Sequence, residues 1–157
     1  MLGLWTLVDA LMNLISGDRL AYLWPVSIME KIMNAHETVL KAYQYFGEGN
    51  MERLATLYHE DYVFYMNGMH RLSGTYHGFE EWAKNCLAKI PQVLPNFNLE
   101  ILTSFSDGSR VFVHVRSTAD GLNAYFGHYA VVEDGKIKEL HVFDDSQKVA
   151  HAMKAVI

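Results

Sequence analysis

The sequence predicts an α+β domain in which helices pack on one face of a curved antiparallel sheet. Apolar residues recur every three or four positions through much of the first half of the chain, which is the spacing of a helix face. The second half contains four runs rich in Val and aromatic residues, separated by short turns that contain Asp or Gly. Helices followed by consecutive antiparallel strands are typical of the α+β class.

The composition indicates a folded domain that binds no nucleic acid. Half of the 157 residues are apolar and 20% are charged, so the chain can bury a core of its own. The formal net charge of −5 disfavours a partner with a phosphate backbone. Cys86 is the single cysteine, so an intrachain disulfide cannot form, and we expect a reducing compartment, the cytoplasm.

Residues 1–27 are predicted to form an amphipathic extension ahead of a single domain at 28–157. Apolar residues at helical spacing carry this prediction: Leu4, Val8, Leu11 and Ile15. The first apolar run, 2–15, is too short to span a bilayer and contains Asp9. Because no Lys or Arg precedes Arg19, we rank docking onto a protein surface ahead of contact with a membrane.

Two helices are expected before the first strand. Helical spacing predicts the first helix over 28–46, and Gly47 can adopt the left-handed conformation that ends it. Asn50 can accept a hydrogen bond from the start of a second, shorter helix at 51–58.

A strand, a loop that contains glycines and a third helix follow. Val and aromatic residues predict the strand within 59–68, after a turn at its start. Apolar residues at helical spacing predict the third helix over 79–90. Pro91 is expected to end this helix, because proline removes a helical hydrogen bond.

The rest of the chain is predicted to be a four-stranded antiparallel meander with a short final helix within 146–157. Asp134-Gly135 links the last two strands, and a two-residue Asp-Gly link is among the strongest hairpin signals. The four strands are expected at 96–105, 110–119, 123–133 and 136–144.

Counting back from the last turn places three histidines side by side on one face of the sheet. With Glu133 in the first pair beyond that turn, His128 faces His141. A three-residue loop at 120–122 then sets His114 opposite His128. The same face would carry Phe112, Arg116, Phe126 and Phe143.

Glu139 is the weak point of that register, because its unpaired carboxylate would lie in the interior. A β-bulge near Glu139 removes this cost and turns Leu140 and Val142 inward and His141 outward. Both registers stay open at this point. His128 is the firmer inward-facing histidine.

Three segments together resemble the NTF2-like superfamily, and especially its SnoaL-like branch, which is related to polyketide cyclases and ketosteroid isomerases. They are YQYFGEGNMERLATLYHEDYVFY at 43–65, SGTYHGFEEWAKNCL at 73–87 and VVEDGKIKELHVFDD at 131–145. The resemblance covers roughly residues 34–145. It implies an NTF2-like (cystatin-like) cone, with three N-terminal helices packed on the curved sheet around an apolar pocket. It also implies homodimers that pair through their sheets.

The resemblance bears on the reaction as well. The superfamily includes isomerases, cyclases, dehydratases and epoxide hydrolases together with non-enzymatic members, so the pocket residues decide the function. The general base of ketosteroid isomerases aligns with Met66, which cannot accept a proton. The carboxylates of epoxide hydrolases align with Thr118 and with His141 or Val142. Both of those mechanisms are therefore disfavoured.

His128 is the leading candidate for chemistry. Burial penalises a charged imidazolium, so an enclosed histidine can act as a neutral base. Arg116 would stabilise a developing enolate or carboxylate oxygen, and His141 and Asp144 are further catalytic candidates. The expected substrate-binding residues are Tyr43, Phe64, Tyr65, Met66, Asn67, Trp82, Phe112, His114 and Phe126.

These residue types suit proton transfer next to a carbonyl group, as in a cyclase, isomerase or dehydratase. The expected ligand is a small hydrophobic or polycyclic carbonyl compound, and the reaction needs no cofactor. The alternative is a non-catalytic ligand-binding or assembly domain with structural histidines, so whether the protein is an enzyme stays open. A third hypothesis takes His114, His128 and His141 as a zinc site, although an HExxH motif is missing. We predict no metal.

Overall fold

The computed structural model describes residues 34–154, which form helices packed on a curved, six-stranded sheet. The predicted α+β class and cone-like architecture are confirmed. The predicted extension at 1–27 and residues 28–33 of the predicted first helix lie outside the described residues. Within the described range, none of the helices is both long enough and apolar enough to cross a membrane.

Asparagine side chains cap the first two helices, and the first of them begins at Ala35 instead of the predicted residue 28. Helix α1 is Ala35–Gly47, and the side chain of Asn34 accepts a hydrogen bond from the Glu37 amide at 2.9 Å. Helix α2 is Met51–Thr56, capped in the same way by the predicted Asn50. Helix α2 ends before the predicted residue 58, because the first strand already begins there.

The predicted third helix is divided into three pieces. Helix α3 is Phe79–Asn85, a 3-10 turn spans Leu87–Lys89, and helix α4 is Ile90–Val93. Pro91 was predicted to end the helix, and this was wrong, because Pro91 lies in the first turn of α4. Proline is tolerated there, since the amide it lacks would have no partner within the helix.

The sheet has the strand order β2-β1-β6-β5-β4-β3 and is mixed rather than purely antiparallel. Its strands are β1 Tyr58–Met66, β2 Gly74–His77, β3 Asn98–Asp107, β4 Arg110–Ala119, β5 Leu122–Glu133 and β6 Lys136–Phe143. Strands β1 and β6 pair in parallel, whereas the other neighbours are antiparallel. Strand β2 lies where the sequence predicted a loop. The described residues end in helix α5, Ser146–Lys154, which lies within the range predicted for the final helix.

The turn between β4 and β5 is one residue shorter than predicted, and this reverses the faces of β4. Ala119 pairs with Leu122, so the turn is Asp120-Gly121 and Leu122 belongs to the strand. Val113 therefore faces His128, and the predicted pairing of His114 with His128 is wrong. Burial explains the shift, because Leu122 is only 4% exposed as a strand residue.

A β-bulge at Lys138 sets the faces of β6. Val132 pairs with Ile137 but Val131 pairs with Glu139, so Lys138 is the extra residue. Beyond the bulge, Leu140 and Val142 face the interior and His141 faces outward. The bulged register is thus the correct one of the two alternatives, and the direct pairing of His128 with His141 is wrong.

Candidate functional site

A cavity of about 90 Å³ lies between the helices and the inner face of the sheet. Its walls come from α1, the α3–α4 segment and inward-facing residues of the strands. The lining is almost entirely aliphatic and aromatic, and none of its residues is Asp, Glu, Lys or Arg. The lining residues with polar side-chain groups are Tyr43, Tyr58, Trp82, Cys86 and His128.

Tyr43 and His128 form a hydrogen-bonded pair in the wall of this cavity. The hydroxyl of Tyr43 bonds to Nδ1 of His128, and the two rings stack with their centroids 5.8 Å apart. Helix α1 supplies the tyrosine, and β5 supplies the histidine as one of its inward-facing residues. His128 is 7% exposed, so the pair is largely shielded from solvent.

Burial keeps both members of the pair neutral at neutral pH. It lowers the pKa of His128 to about 4, although the charge of Asp144 acts in the opposite direction. Burial also raises the pKa of Tyr43 well above its usual range. The pair therefore combines an uncharged imidazole with an uncharged phenol.

The hydrogen bond to Tyr43 leaves Nε2 as the ring nitrogen of His128 that can react. A tyrosine hydroxyl can either accept a hydrogen bond from Nδ1–H or donate one to an unprotonated Nδ1. In the first arrangement Nε2 has a free lone pair and is a base, and in the second it carries a proton and is an acid. Among residues 34–154, Nε2 has no hydrogen-bond partner.

Six of the predicted site residues meet in this cavity. Besides the hydrogen-bonded pair they are Phe64, Met66, Trp82 and Phe126. Their inward positions follow from the strand alternation on β1 and β5 and from the apolar face of α3. Whether they bind a substrate stays a prediction.

Arg116, Phe112 and His114 lie on the opposite face of the sheet from His128. They were predicted to share its face, and the two-residue turn before β5 makes this wrong. The Arg116 guanidinium donates through Nε to the Asn123 side chain at 3.0 Å. Arg116 is therefore in no position to stabilise charge in the cavity.

Tyr65 and His141 also lie on the outer face, where their rings stack at a centroid distance of 4.3 Å. Nε2 of His141 lies 3.1 Å from a carboxylate oxygen of Glu139. With His114 and His141 both turned away from His128, the predicted row of three histidines does not form. Within residues 34–154 no three His, Cys, Asp or Glu side chains are grouped so that they could hold a metal ion.

Asp144 is buried outside the cavity in a polar cluster of its own. Its carboxylate accepts a hydrogen bond from Nε2 of His70 at 2.7 Å and another from the hydroxyl of Ser146. The predicted binding residue Asn67 bonds to the backbone of Asp144 at the end of β1 and is exposed to solvent. These contacts connect the loop after β1 to the end of β6. Asp144 and Asn67 therefore stabilise the fold and do not line the cavity.

Gly68 is required by this cluster. Its φ of +90° is rarely adopted by other residues, and an added Cβ would lie 2.3 Å from the Ser146 hydroxyl oxygen. The sequence did not indicate the pairing of His70 with Asp144, because 74 positions separate the two residues.

Several lining residues were not predicted as site residues. The sequence predicts Tyr58 at the end of the second helix and Phe97 and Leu99 in the strand at 96–105, and it does not indicate that these residues face the pocket. Burial raises the pKa of the Cys86 thiol to about 12, so Cys86 adds a further neutral group to the wall. The other lining residues not predicted for the site are Val39, Ala42, Phe46, Leu87, Ile90, Ala130, Ile137, Leu140 and Val142.

Residues 39–140 match the SnoaL-like domain family, and no curated protein matches the sequence. Among solved structures, an NTF2-like protein from Burkholderia thailandensis E264 superposes with a TM-score of 0.73 at 17% identity, covering 78% of this chain and 98% of that protein. Bal32a, from a soil-derived mobile gene cassette, gives 0.69 at 21% identity, covering 81% and 98%. TerC, co-crystallised with polyporic acid, gives 0.66 at 24% identity, covering 75% and 96%. These similarities show that the fold is NTF2-like.

Proposed function

Because this chain belongs to the SnoaL-like domain family, we propose that its cavity binds the carbonyl-bearing end of a small hydrophobic compound. His128 transfers a proton to or from the carbon next to that carbonyl. The observation that carries the proposal is the neutral Tyr43–His128 pair in a wall otherwise made of apolar groups. Moving an ion from water into such a cavity costs a large desolvation free energy. Moving a neutral carbonyl compound into it costs much less.

The proposed reaction begins with Nε2 of His128 as the base. Nε2 takes a proton from the carbon beside the carbonyl, and the electron pair of the C–H bond moves onto the carbonyl oxygen to give an enolate. Nδ1 keeps donating to the hydroxyl of Tyr43, which stabilises the imidazolium that has formed. In a β,γ-unsaturated ketone, Nε2–H returns the proton to the γ-carbon, and the double bond moves into conjugation with the carbonyl. In a β-hydroxy ketone, Nε2–H instead protonates the departing hydroxyl, so that water leaves and an unsaturated ketone forms.

The enolate oxygen would be stabilised by neutral groups, since Arg116 lies on the other face of the sheet. The hydroxyl of Tyr58 and the indole N–H of Trp82 belong to residues that line the cavity. Neutral donors fixed in a region of low dielectric stabilise developing charge more strongly than they do in water. TerC, whose structure has the same fold, was co-crystallised with polyporic acid, a small molecule.

Deuterium exchange of a simple ketone tests this proposal. 2-Indanone carries methylene protons between a ring and a carbonyl, and NMR in D₂O follows their replacement. We expect the wild-type protein to accelerate the exchange, and His128→Gln to lower that acceleration by about 100-fold or more. Tyr43→Phe should cause a smaller loss, because it removes only the partner of Nδ1.

Two outcomes count against proton transfer by His128. Equal exchange with the wild type and His128→Gln would reject the assigned base. Binding of 2-indanone without any exchange would favour the alternative, a non-catalytic ligand-binding domain.

We also propose that the protein is a homodimer that pairs through the outer face of the sheet. Large apolar side chains are exposed there, and isolated monomers rarely expose such patches without a partner. Tyr125 is 61% exposed and Phe143 is 54% exposed, and Phe105 stacks on Phe112 with their centroids 5.4 Å apart. The cytoplasm, as the compartment suited to the single cysteine, remains part of the proposal.

A further inference from the structure

The cavity is too small to hold a whole substrate of the proposed kind. Its volume is about 90 Å³. A buried cavity that accepts a single benzene molecule measures about 150 Å³. The space beside His128 can therefore take the reacting end of a ligand, and the rest of that ligand needs another surface.

A groove of about 930 Å³ lies directly beside the cavity. It runs between α1, the α3–α4 segment and the start of β3, and it shares a wall with the cavity. The shared residues are Tyr43, Phe46, Leu87, Ile90, Phe97 and Leu99. One of them, Tyr43, is also the hydrogen-bond partner of His128, so the groove ends next to the reacting group.

The chemistry of the groove indicates what it would hold. None of its lining residues is Asp, Glu, Lys, Arg or His. Its polar side chains include the three amides of Gln44, Asn96 and Asn98. The NH₂ groups of Gln44 and Asn96 are already bonded to Glu48 and Asp120, at 2.8 Å and 3.0 Å, whereas Asn98 has no side-chain bond within the described part of the chain.

We propose that this groove is a second subsite for the same ligand, and that the ligand is uncharged and elongated. Its carbonyl end enters the cavity at His128, and an apolar ring system or chain lies along the groove. Neutral hydroxyl or carbonyl groups on that chain would bond to the amide of Asn98. This inference rests on the proposed function, because it takes the cavity as the site of the reacting end.

A series of neutral methyl ketones of increasing chain length tests the groove, because their small carbonyl end can enter the cavity. 2-Butanone and 2-decanone differ by six methylene groups, and calorimetry measures their affinities for the wild-type protein. A fully buried methylene tightens binding about fourfold, and a partly open groove should give about twofold. We therefore expect 2-decanone to bind about 60-fold more tightly than 2-butanone.

Two variants place this gain in the groove. Ala88→Trp fills the groove from an exposed position, and Met51→Glu puts a charge at an exposed position in its lining. Either change should reduce the 2-decanone gain to below about tenfold and leave the binding of 2-butanone, which is short enough to stay in the cavity, unchanged. Gln92→Trp is the matched control, since Gln92 is exposed and lies outside the groove, and it should keep the full gain.

Equal affinities for the two ketones, or a gain that survives both groove variants, would overturn the second subsite. This result is independent of turnover, because it is read from binding alone. If 2-indanone exchange is absent but the length dependence holds, proton transfer fails and the subsite stands. If exchange is present but chain length has no effect, the subsite fails and proton transfer stands.

Discussion

Replacing His128 with glutamine should change how the stability of the protein depends on pH. The pKa of His128 is about 4 in the folded protein, against 6.5 for a solvated histidine. As the pH falls below 6.5, the unfolded chain takes up this proton before the folded protein does, so unfolding becomes more favourable. The full difference amounts to about 3 kcal/mol, and about 2 kcal/mol of it is lost between pH 8 and pH 5.

Urea unfolding at pH 8 and pH 5 measures this effect. Wild-type stability should fall by about 2 kcal/mol more than that of His128→Gln over this interval, because other titrating groups contribute equally to both proteins. Tyr43→Phe is the matched control: it removes the hydrogen bond but keeps the imidazole buried, so it should retain most of the pH dependence. If wild type and His128→Gln lose the same stability between the two pH values, the imidazole is not shielded as described and its lowered pKa is refuted.

Three further predictions concern the rest of the described structure. Asp144→Asn should lower the free energy of unfolding by about 3 kcal/mol, because it breaks a buried pair with His70; half-buried Asp145→Asn should change it little in the same urea titration, because asparagine can still accept the hydrogen bond from the Lys148 amide. Gly68→Ala should cost about 2 kcal/mol or more by thermal unfolding, because its φ is positive and the added Cβ meets Ser146; stability equal to wild type would contradict this. Tyr125→Glu should shift the molecular mass measured by light scattering from dimer to monomer, and an unchanged mass would remove the outer sheet face as the interface.

The sequence predicted the inward position of His128 because strand alternation is a local property. Strand β5 alternates between buried and half-buried or exposed residues over its whole length, and the short turn after it fixes the pairing with β6. The cost of burying Glu139 was enough to raise the bulged register as an alternative. A bulge of this kind avoids the free-energy cost of burying one charged side chain, and that cost can be recognised in the sequence.

The features that the sequence missed depend on contacts between distant residues or on turn length. Asp120-Gly121 is followed by Leu122, which can complete a loop or begin a strand, and only burial in the folded core decides between them. Strands β1 and β6 are neighbours in the sheet but lie far apart in the sequence, so no local turn signals their parallel pairing. The uncertain length of the turn before β5 led to the wrong face for Arg116. Its predicted role in stabilising an enolate or carboxylate oxygen in the cavity is lost for the same reason.

The ring nitrogens of His128 give the most direct test of a neutral base in contact with a ligand. Nitrogen-15 NMR of histidine-labelled protein at pH 6 reports the charge of the imidazole, and addition of 2-indanone reports contact at Nε2. We expect the His128 signals to be those of a neutral ring, and the Nε2 resonance to shift on addition of the ketone. Both signals should be missing from the spectrum of His128→Gln. A charged ring at pH 6, or an Nε2 resonance that saturating ketone leaves in place, would contradict the proposed chemistry.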